Sequence, residues 1–185
     1  MIPIRVEAPV VEPVSVAELR GYLRLDPDDG GVEDVLLQAL IGAARASLEI
    51  ETRRVLVPGR YRIALPAWPP DGRLRLPLSP LVALARAGLV DADGVVTDLA
   101  PGLVRLGPDP VEAPALVVDP AAPVLAGRTV LIEVVAGFGG DGPALPAPLR
   151  LAVLRLAAAR HEHRGDEADA PEPADLAAPF RRMRL

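Results

Sequence analysis

Residues 32–54 read VEDVLLQALIGAARASLEIETRR, and the reading of this stretch decides the fold. Val35, Leu36, Ala39, Leu40, Ala43 and Ala44 recur at three- and four-residue steps, the period of a helix face, which predicts a helix from about Val32 to Arg53. At about 1.5 Å of rise per residue it would be roughly 33 Å long. Its charges run with the helix dipole: Asp28, Asp29, Glu33 and Asp34 stand near the positive end, and Arg53 and Arg54 near the negative end. Each such placement is favourable by roughly 0.3–1 kcal/mol.

On the N-terminal side, residues 1 to 14 are extended and punctuated by proline. Ser15-Val16-Ala17-Glu18 has the form of a capping box, with Ser at the N-cap and Glu three positions on. A short helix follows, presenting Val16, Leu19, Tyr22 and Leu23, and the turn at Asp26-Pro27-Asp28-Asp29-Gly30-Gly31 ends it. The acids Asp26, Asp28, Asp29, Glu33 and Asp34 lack the residue order of a Ca²⁺ loop, so turn and cap duty is their reading.

On the C-terminal side the pattern changes at Val57 to short apolar runs bounded by Pro and Gly. Strands are predicted at about 60–66, 73–77, 82–91, 94–98, 103–106, 115–118 and 129–137. Asp91-Ala92-Asp93-Gly94 carries the turn residues of a hairpin. Gly107 to Pro123 reads as a meandering loop with one brief edge strand. Gly137-Phe138-Gly139-Gly140-Asp141-Gly142 reads as a flexible break, since neither a Lys nor a Ser/Thr follows it to make a phosphate loop. Pro146 and Pro148 then open a third helix, where a missing N–H costs little, and Leu149, Ala152, Val153, Leu156 and Ala159 mark its face to about Arg164.

The fold class expected is therefore α+β: a small bundle of short, long and C-terminal helices with an inserted β subdomain and an extended C-terminal tail. The predicted parts are an N-terminal helical part at 1–56, the β insertion at 57–140, the bundle-completing helix at 141–165 and the tail at 166–185.

Composition removes several function classes. The 185 residues contain no cysteine, so disulfides, thiolate metal sites and cysteine nucleophiles are closed, which fits a reducing cytoplasmic origin. No stretch approaches the ~20 apolar residues of a membrane span, and the first ten residues lack a signal-type apolar run, so a soluble, unprocessed chain with no membrane partner is predicted. A net charge of −5 argues against a dedicated nucleic-acid binder. Aromatic residues make up only 3%, leaving little for base-stacking platforms, so the core must be built from Leu, Val, Ile and Ala. All the basic residues are Arg, a bias from which no chemistry is drawn.

Candidate chemistry is thin. His161-Glu162-His163, with Asp166 and Glu167 nearby, has metal-ligand residue types, but imidazoles two positions apart point in different directions on a helix. A solvated helix end is the plainer reading. Arg164-Gly165-Asp166 reads as a helix C-terminus with Gly at C′. With only two histidines, neither near a serine in sequence, a Ser-His-acid triad has no support. No catalytic residue, cofactor or metal ligand is assigned, and a small metal-dependent hydrolase built on His161 and His163 stands as the alternative from another class.

The order of these elements resembles the phage head-tail connector family, the portal-adaptor or DNA-packaging neck proteins, over nearly the whole chain. The resemblance is carried by Pro13-Val14-Ser15-Val16-Ala17-Glu18 with Tyr22-Leu23-Arg24-Leu25-Asp26, and by Leu37, Ile41, Ala43, Ala44 and Arg45 ahead of Glu49. It continues in Leu76-Pro77-Leu78-Ser79-Pro80-Leu81-Val82, Val135-Ala136-Gly137-Phe138-Gly139 and Pro146-Ala147-Pro148-Leu149-Arg150. Where such proteins often carry aromatics on the last helix this chain has Ala159, Arg160 and His161, while Glu162 and Arg164 keep the acid-then-Arg pattern.

The resemblance implies a non-enzymatic subunit of a ring, a dodecamer, beneath the portal of a tailed phage or gene transfer agent. Such a ring joins capsid to tail and forms part of the DNA conduit, with the portal, a downstream neck or tail protein and passing DNA as partners. Another neck or tail-completion role is the nearest alternative. The basic ending, with Phe180, Met183 and Leu185 as apolar anchors and Arg181, Arg182 and Arg184 as charge partners, is the expected portal-docking segment.

Overall fold

In the computed structural model, residues 2–26, 31–164 and 174–182 are described. The chain is α+β and divides into two compact units, one of residues 1–9 and 57–143 and the other of 10–56 and 144–185.

The helical unit is built on α1 (Val16–Leu23), α2 (Asp34–Thr52), α3 (Ala147–Glu162) and a single turn, α4 (Ala174–Ala177), followed by a 3₁₀ turn at Ala178–Phe180. The capping box at α1 forms as the sequence predicts. The Glu18 N–H donates to Ser15 Oγ at 3.2 Å and the Ser15 N–H donates to Glu18 Oε2 at 2.9 Å. Two N–H groups that a helix start leaves unpaired are thereby satisfied. Both α1 and α2 stop at an arginine in the left-handed region, Arg24 and Arg53, each with φ of 56°.

The buried face of α2 only partly matches the expected one, since Ala44 is buried and Leu36 and Leu40 are half-buried as expected, but the centre of the core face lies elsewhere. Leu37, Ile41, Ala44, Leu48 and Thr52 are buried, whereas Val35, Ala39 and Ala43 are exposed. The helix is apolar on two faces, and the core takes the one carrying the bulkier run of Leu and Ile. On α3 the predicted face holds: Leu149, Ala152, Val153, Leu156 and Ala159 are buried, and the helix ends at Glu162. On α1 only Leu19 is fully buried, and Tyr22 lies half-exposed.

The β unit contains two antiparallel sheets. One has five strands in the order β1-β2-β8-β4-β5, formed by Ile4–Arg5, Gly59–Leu65, Thr129–Ala136, Leu81–Val90 and Val96–Asp98. The other has three in the order β3-β7-β6, formed by Arg73–Arg75, Ala115–Val118 and Val104–Leu106. In β2 the side chains alternate cleanly, with Tyr61, Ile63 and Leu65 inward and Arg60, Arg62 and Ala64 outward, as a strand with one wet face requires. Central β8 buries Val130, Ile132, Val134 and Ala136.

Two readings of this region need correction. The strand in the Pro-rich stretch 107–123, expected at an edge, is the centre of the three-stranded sheet: Leu116 pairs with both Leu74 and Leu106 and is fully buried. The glycine run 137–142, expected to be a flexible break, is a hydrogen-bonded turn. Gly139 N–H donates to Pro143 O at 2.8 Å and Gly142 N–H to Gly139 O at 2.9 Å. Gly137 has φ of 122°, and a Cβ there would stand 2.4 Å from Val57 O, so only glycine fits that close approach. The Asp91–Gly94 hairpin forms between β4 and β5, with Asp91 Oδ1 accepting from the N–H groups of Asp93 and Val95.

Candidate functional site: the helical unit and its C-terminal segment

Many of the described charged residues of the helical unit hold its own elements together. Arg45 on α2 donates from Nε to Glu12 Oε2 at 2.7 Å and from Nη1 to Glu49 Oε2 at 2.8 Å, and Glu49 Oε1 also accepts the N–H of Leu56 at 2.8 Å. This part-buried network pins the segment before α1 and the chain leaving α2 onto the middle of that helix. Arg20 on α1 donates to Asp34 at 2.9 Å, and Arg150 on α3 pairs with Glu18 on α1. Glu18 is consequently lowered to about pKa 2, first by its backbone bond from Ser15 and then by Arg150.

His161 and Glu33 close the other end. His161 Nε2 lies 3.1 Å from Glu33 Oε2, and Arg164 Nη1 lies 3.2 Å from Glu33 Oε1. The imidazole bond, with help from Arg164, draws the Glu33 carboxyl below its ordinary pKa. Glu33 therefore ties α3 to the start of α2 rather than capping α2 with its side chain. His163 is the C-cap of α3, so the two imidazoles have separate duties. Among the described residues no group of three or more His, Asp or Glu side chains is arranged to hold a metal ion. Asp28, Asp29, Gly165, Asp166 and Glu167 lie outside those residues.

Of the six residues expected to dock a partner, Phe180, Arg181 and Arg182 are described, and Met183, Arg184 and Leu185 lie outside the described residues. The segment 174–182 packs against α2 and α3 of its own unit, with Ala177 fully buried. Arg54 Nε donates to Phe180 O at 2.8 Å, the Arg182 N–H donates to Thr52 O at 3.1 Å, and Arg181 pairs with Glu51. Three successive residues are thus fixed to the C-terminal end of α2. Neither the Glu33–His161 pair nor the Arg54–Phe180 bond could be read from sequence, since 128 and 126 positions separate the partners. Arg45 and Glu49, at i and i+4, were legible as an ion pair but not as the hub they form with Glu12.

On the β unit the polar face of the five-stranded sheet carries a row of alternating charge. Arg62 bonds Glu133 at 2.8 Å, Arg60 stands 3.5 Å from the same carboxylate, and Arg86 donates to Asp98 at 2.6 Å. A neighbouring open groove is lined by Leu84, Arg86, Asp98, Leu99 and Val104, and its charged side chains bond each other. Such pairs stabilise cross-strand register. Among the described residues no helix is long and apolar enough to cross a membrane.

No model of a known protein family matches the chain, and no curated protein matches it. Solved structures do. A chain from the neck of an empty gene transfer agent (GTA) particle, computed with C6 symmetry, is 35% identical with a TM-score of 0.88, over 100% of this chain and 97% of that one. This chain belongs to the family of GTA neck proteins. Two further members of this neck family agree. One, from the virion of a native GTA particle, is 35% identical with a TM-score of 0.84. The other, from the neck of a native GTA particle computed with C12 symmetry, is 34% identical with a TM-score of 0.80. Coverage is the same for both, 100% of this chain and 97% of theirs. The neck family's members are structural parts of the particle, and their location is the neck.

Proposed function

We propose that this neck protein is the head-to-tail connector subunit: a non-catalytic ring component, twelve copies seated under the portal, joining the capsid to the tail and forming part of the DNA conduit. The observation that carries the reading is the match at 35% identity, over 100% of this chain and 97% of the other, to a chain of a GTA neck. The helical unit fits a mechanical part, because among the described residues Arg20, Glu33, Arg45 and Arg150 bond side chains of other elements and no group of three or more His, Asp or Glu is arranged to hold a metal ion.

A ring repeats one head-to-tail contact around an axis, so each copy needs two unlike, complementary surfaces. Twelve copies at −5 each carry about −60, a balance that repels phosphate and lets DNA slide instead of being gripped. The C-terminal residues Phe180, Arg181, Arg182, Met183, Arg184 and Leu185 are the portal-docking end. Residues 180–182 are fixed to the C-terminal end of α2. Because Arg181 already bonds Glu51, docking trades one carboxylate for another at that position, and the apolar anchors and remaining arginines provide the attraction.

The experiment is a complementation in a producing strain from which the gene has been removed. Loss of the gene is expected to give heads without tails, the full chain to restore tailed particles, and a chain ending at Arg182 to restore few or none while melting at the same temperature. Tailed particles without the gene would overturn the connector reading, and full rescue by the shortened chain would overturn the role of the C-terminal end.

A further inference from the structure

The solvent face of α2 is uncharged along most of its length and, apart from Gln38 at its edge, apolar. Val35 and Ile50 are 84% and 80% exposed, and Ala39, Ala43 and Ala46 between them are exposed as well. At about 100° per residue these five positions fall within a sector roughly 80–100° wide, and at about 1.5 Å per residue they extend for roughly 22 Å. A stripe of this width on a helix of a globular protein ordinarily faces a core. Here the core lies on a different face, the one formed by Leu37, Ile41, Ala44 and Leu48.

The charged residues of the helix do not interrupt the stripe, and each is bonded elsewhere. Asp34 is held by Arg20, Arg45 and Glu49 bond each other and Glu12, and Glu51 is held by Arg181. A solvated helix face normally carries Lys, Arg or Glu. A long bare one marks a contact surface.

We infer that this stripe, Val35-Ala39-Ala43-Ala46-Ile50, is one of the two faces through which copies of the chain meet, covered by the neighbouring copy in the ring. The inference rests on the ring reading above and adds the surface to it. The occupant follows from chemistry. With no cation on the stripe it has nothing to offer phosphate, which excludes DNA, and with no carboxylate it has nothing to offer a basic segment such as residues 181–184. Necks computed with C6 and C12 symmetry contain relatives that match this chain over 97% of their length, so repetition of this polypeptide around an axis is what the family's particles supply. Alanines at the centre of the stripe allow close approach of a neighbour's backbone, and the bulkier Val35 and Ile50 at its ends fix the register.

Photo-crosslinking tests the occupant. A p-benzoylphenylalanine residue replaces Val35 or, separately, Ile50, the full chain is supplied to the gene-deleted strain, and purified particles are illuminated. The expected product is a ladder at multiples of the 19.4 kDa chain. A product joining the chain to a different neck protein, or no product from particles that contain the chain, overturns the inference while leaving the ring reading intact. Absence of the wild-type chain from particle necks sinks the ring reading instead.

A second arm uses Ala46→Glu, which places a charge where the contact is dry. Copies per neck are expected to fall at least ~10-fold with the melting temperature of the free chain unchanged, as for burial of an unpaired charge at an interface. Normal incorporation of Ala46→Glu would also count against the inference.

Discussion

Leu48 and Ile50 stand two positions apart on α2, and the difference between them shows how burial divides labour among similar side chains. Leu48 is fully buried, while Ile50 is 80% exposed. Removing Leu48 to Ala takes away transfer free energy and leaves a cavity, so Leu48→Ala is expected to destabilise the free chain by about 2–5 kcal/mol. Ile50→Ala is expected to stay within about 0.5 kcal/mol of wild type, because no intramolecular contact of consequence is lost. Urea unfolding of the dilute chain measures both, and a large loss from Ile50→Ala would show that the outer face of α2 is already used within one copy.

At the scale of elements, the capping box of α1 does more than start a helix. Glu18 accepts from Ser15 at the helix start and also takes Arg150 from α3, so one carboxylate both caps α1 and ties two helices together. Its folded pKa of about 2 lies below the ordinary 4.5. The charged form is favoured in the folded state, so its contribution is complete above about pH 4.5 and is lost as pH falls towards 2. Because this carboxylate is nearly half exposed, the contribution is discounted to that of an ordinary cap, on the order of 1 kcal/mol. Glu18→Gln is expected to melt below wild type at pH 7, with the gap narrowing between pH 4.5 and 2. A gap that stays constant across that range would mean that the carboxylate's charge is not what stabilises the junction.

Elements differed in how far the sequence announced them. Ser15 and Glu18 specify their cap within four residues, and the helix predicted from about Val32 to Arg53 spans Asp34–Thr52. The face of α2 that becomes core was not legible, because Val35-Ala39-Ala43 and Leu37-Ile41-Leu48 repeat with the same period and only tertiary packing selects between them. For the same reason β7 passed for an edge. Pairing on both sides of Leu116 comes from strands that local sequence cannot bring together. The two-residue strand β1 has little signal of its own and is held by β2, with Ile4 opposite Arg62. The candidate site was legible as residue types, and His161 and Arg181 looked like solvent-facing chemistry. Their partners, Glu33 and Glu51, lie more than 120 positions away.

At the scale of the whole molecule, each of the two compact units carries internal charge networks among its described residues: the Glu12–Arg45–Glu49 hub and the Glu33 junction in one, the charge row of the five-stranded sheet in the other. The outer face of α2, with Val35 and Ile50 exposed, carries none of that polar chemistry, and the family to which the chain belongs is found in the neck of a GTA particle. The direct measurement is a reconstruction of the neck in purified particles of the producing strain, with this chain traced by its own side chains. The account predicts twelve copies in one closed ring between portal and tail, with Leu185 on the portal side. Finding the chain in a layer that does not touch the portal, in any other copy number, or missing from the purified particles would contradict it.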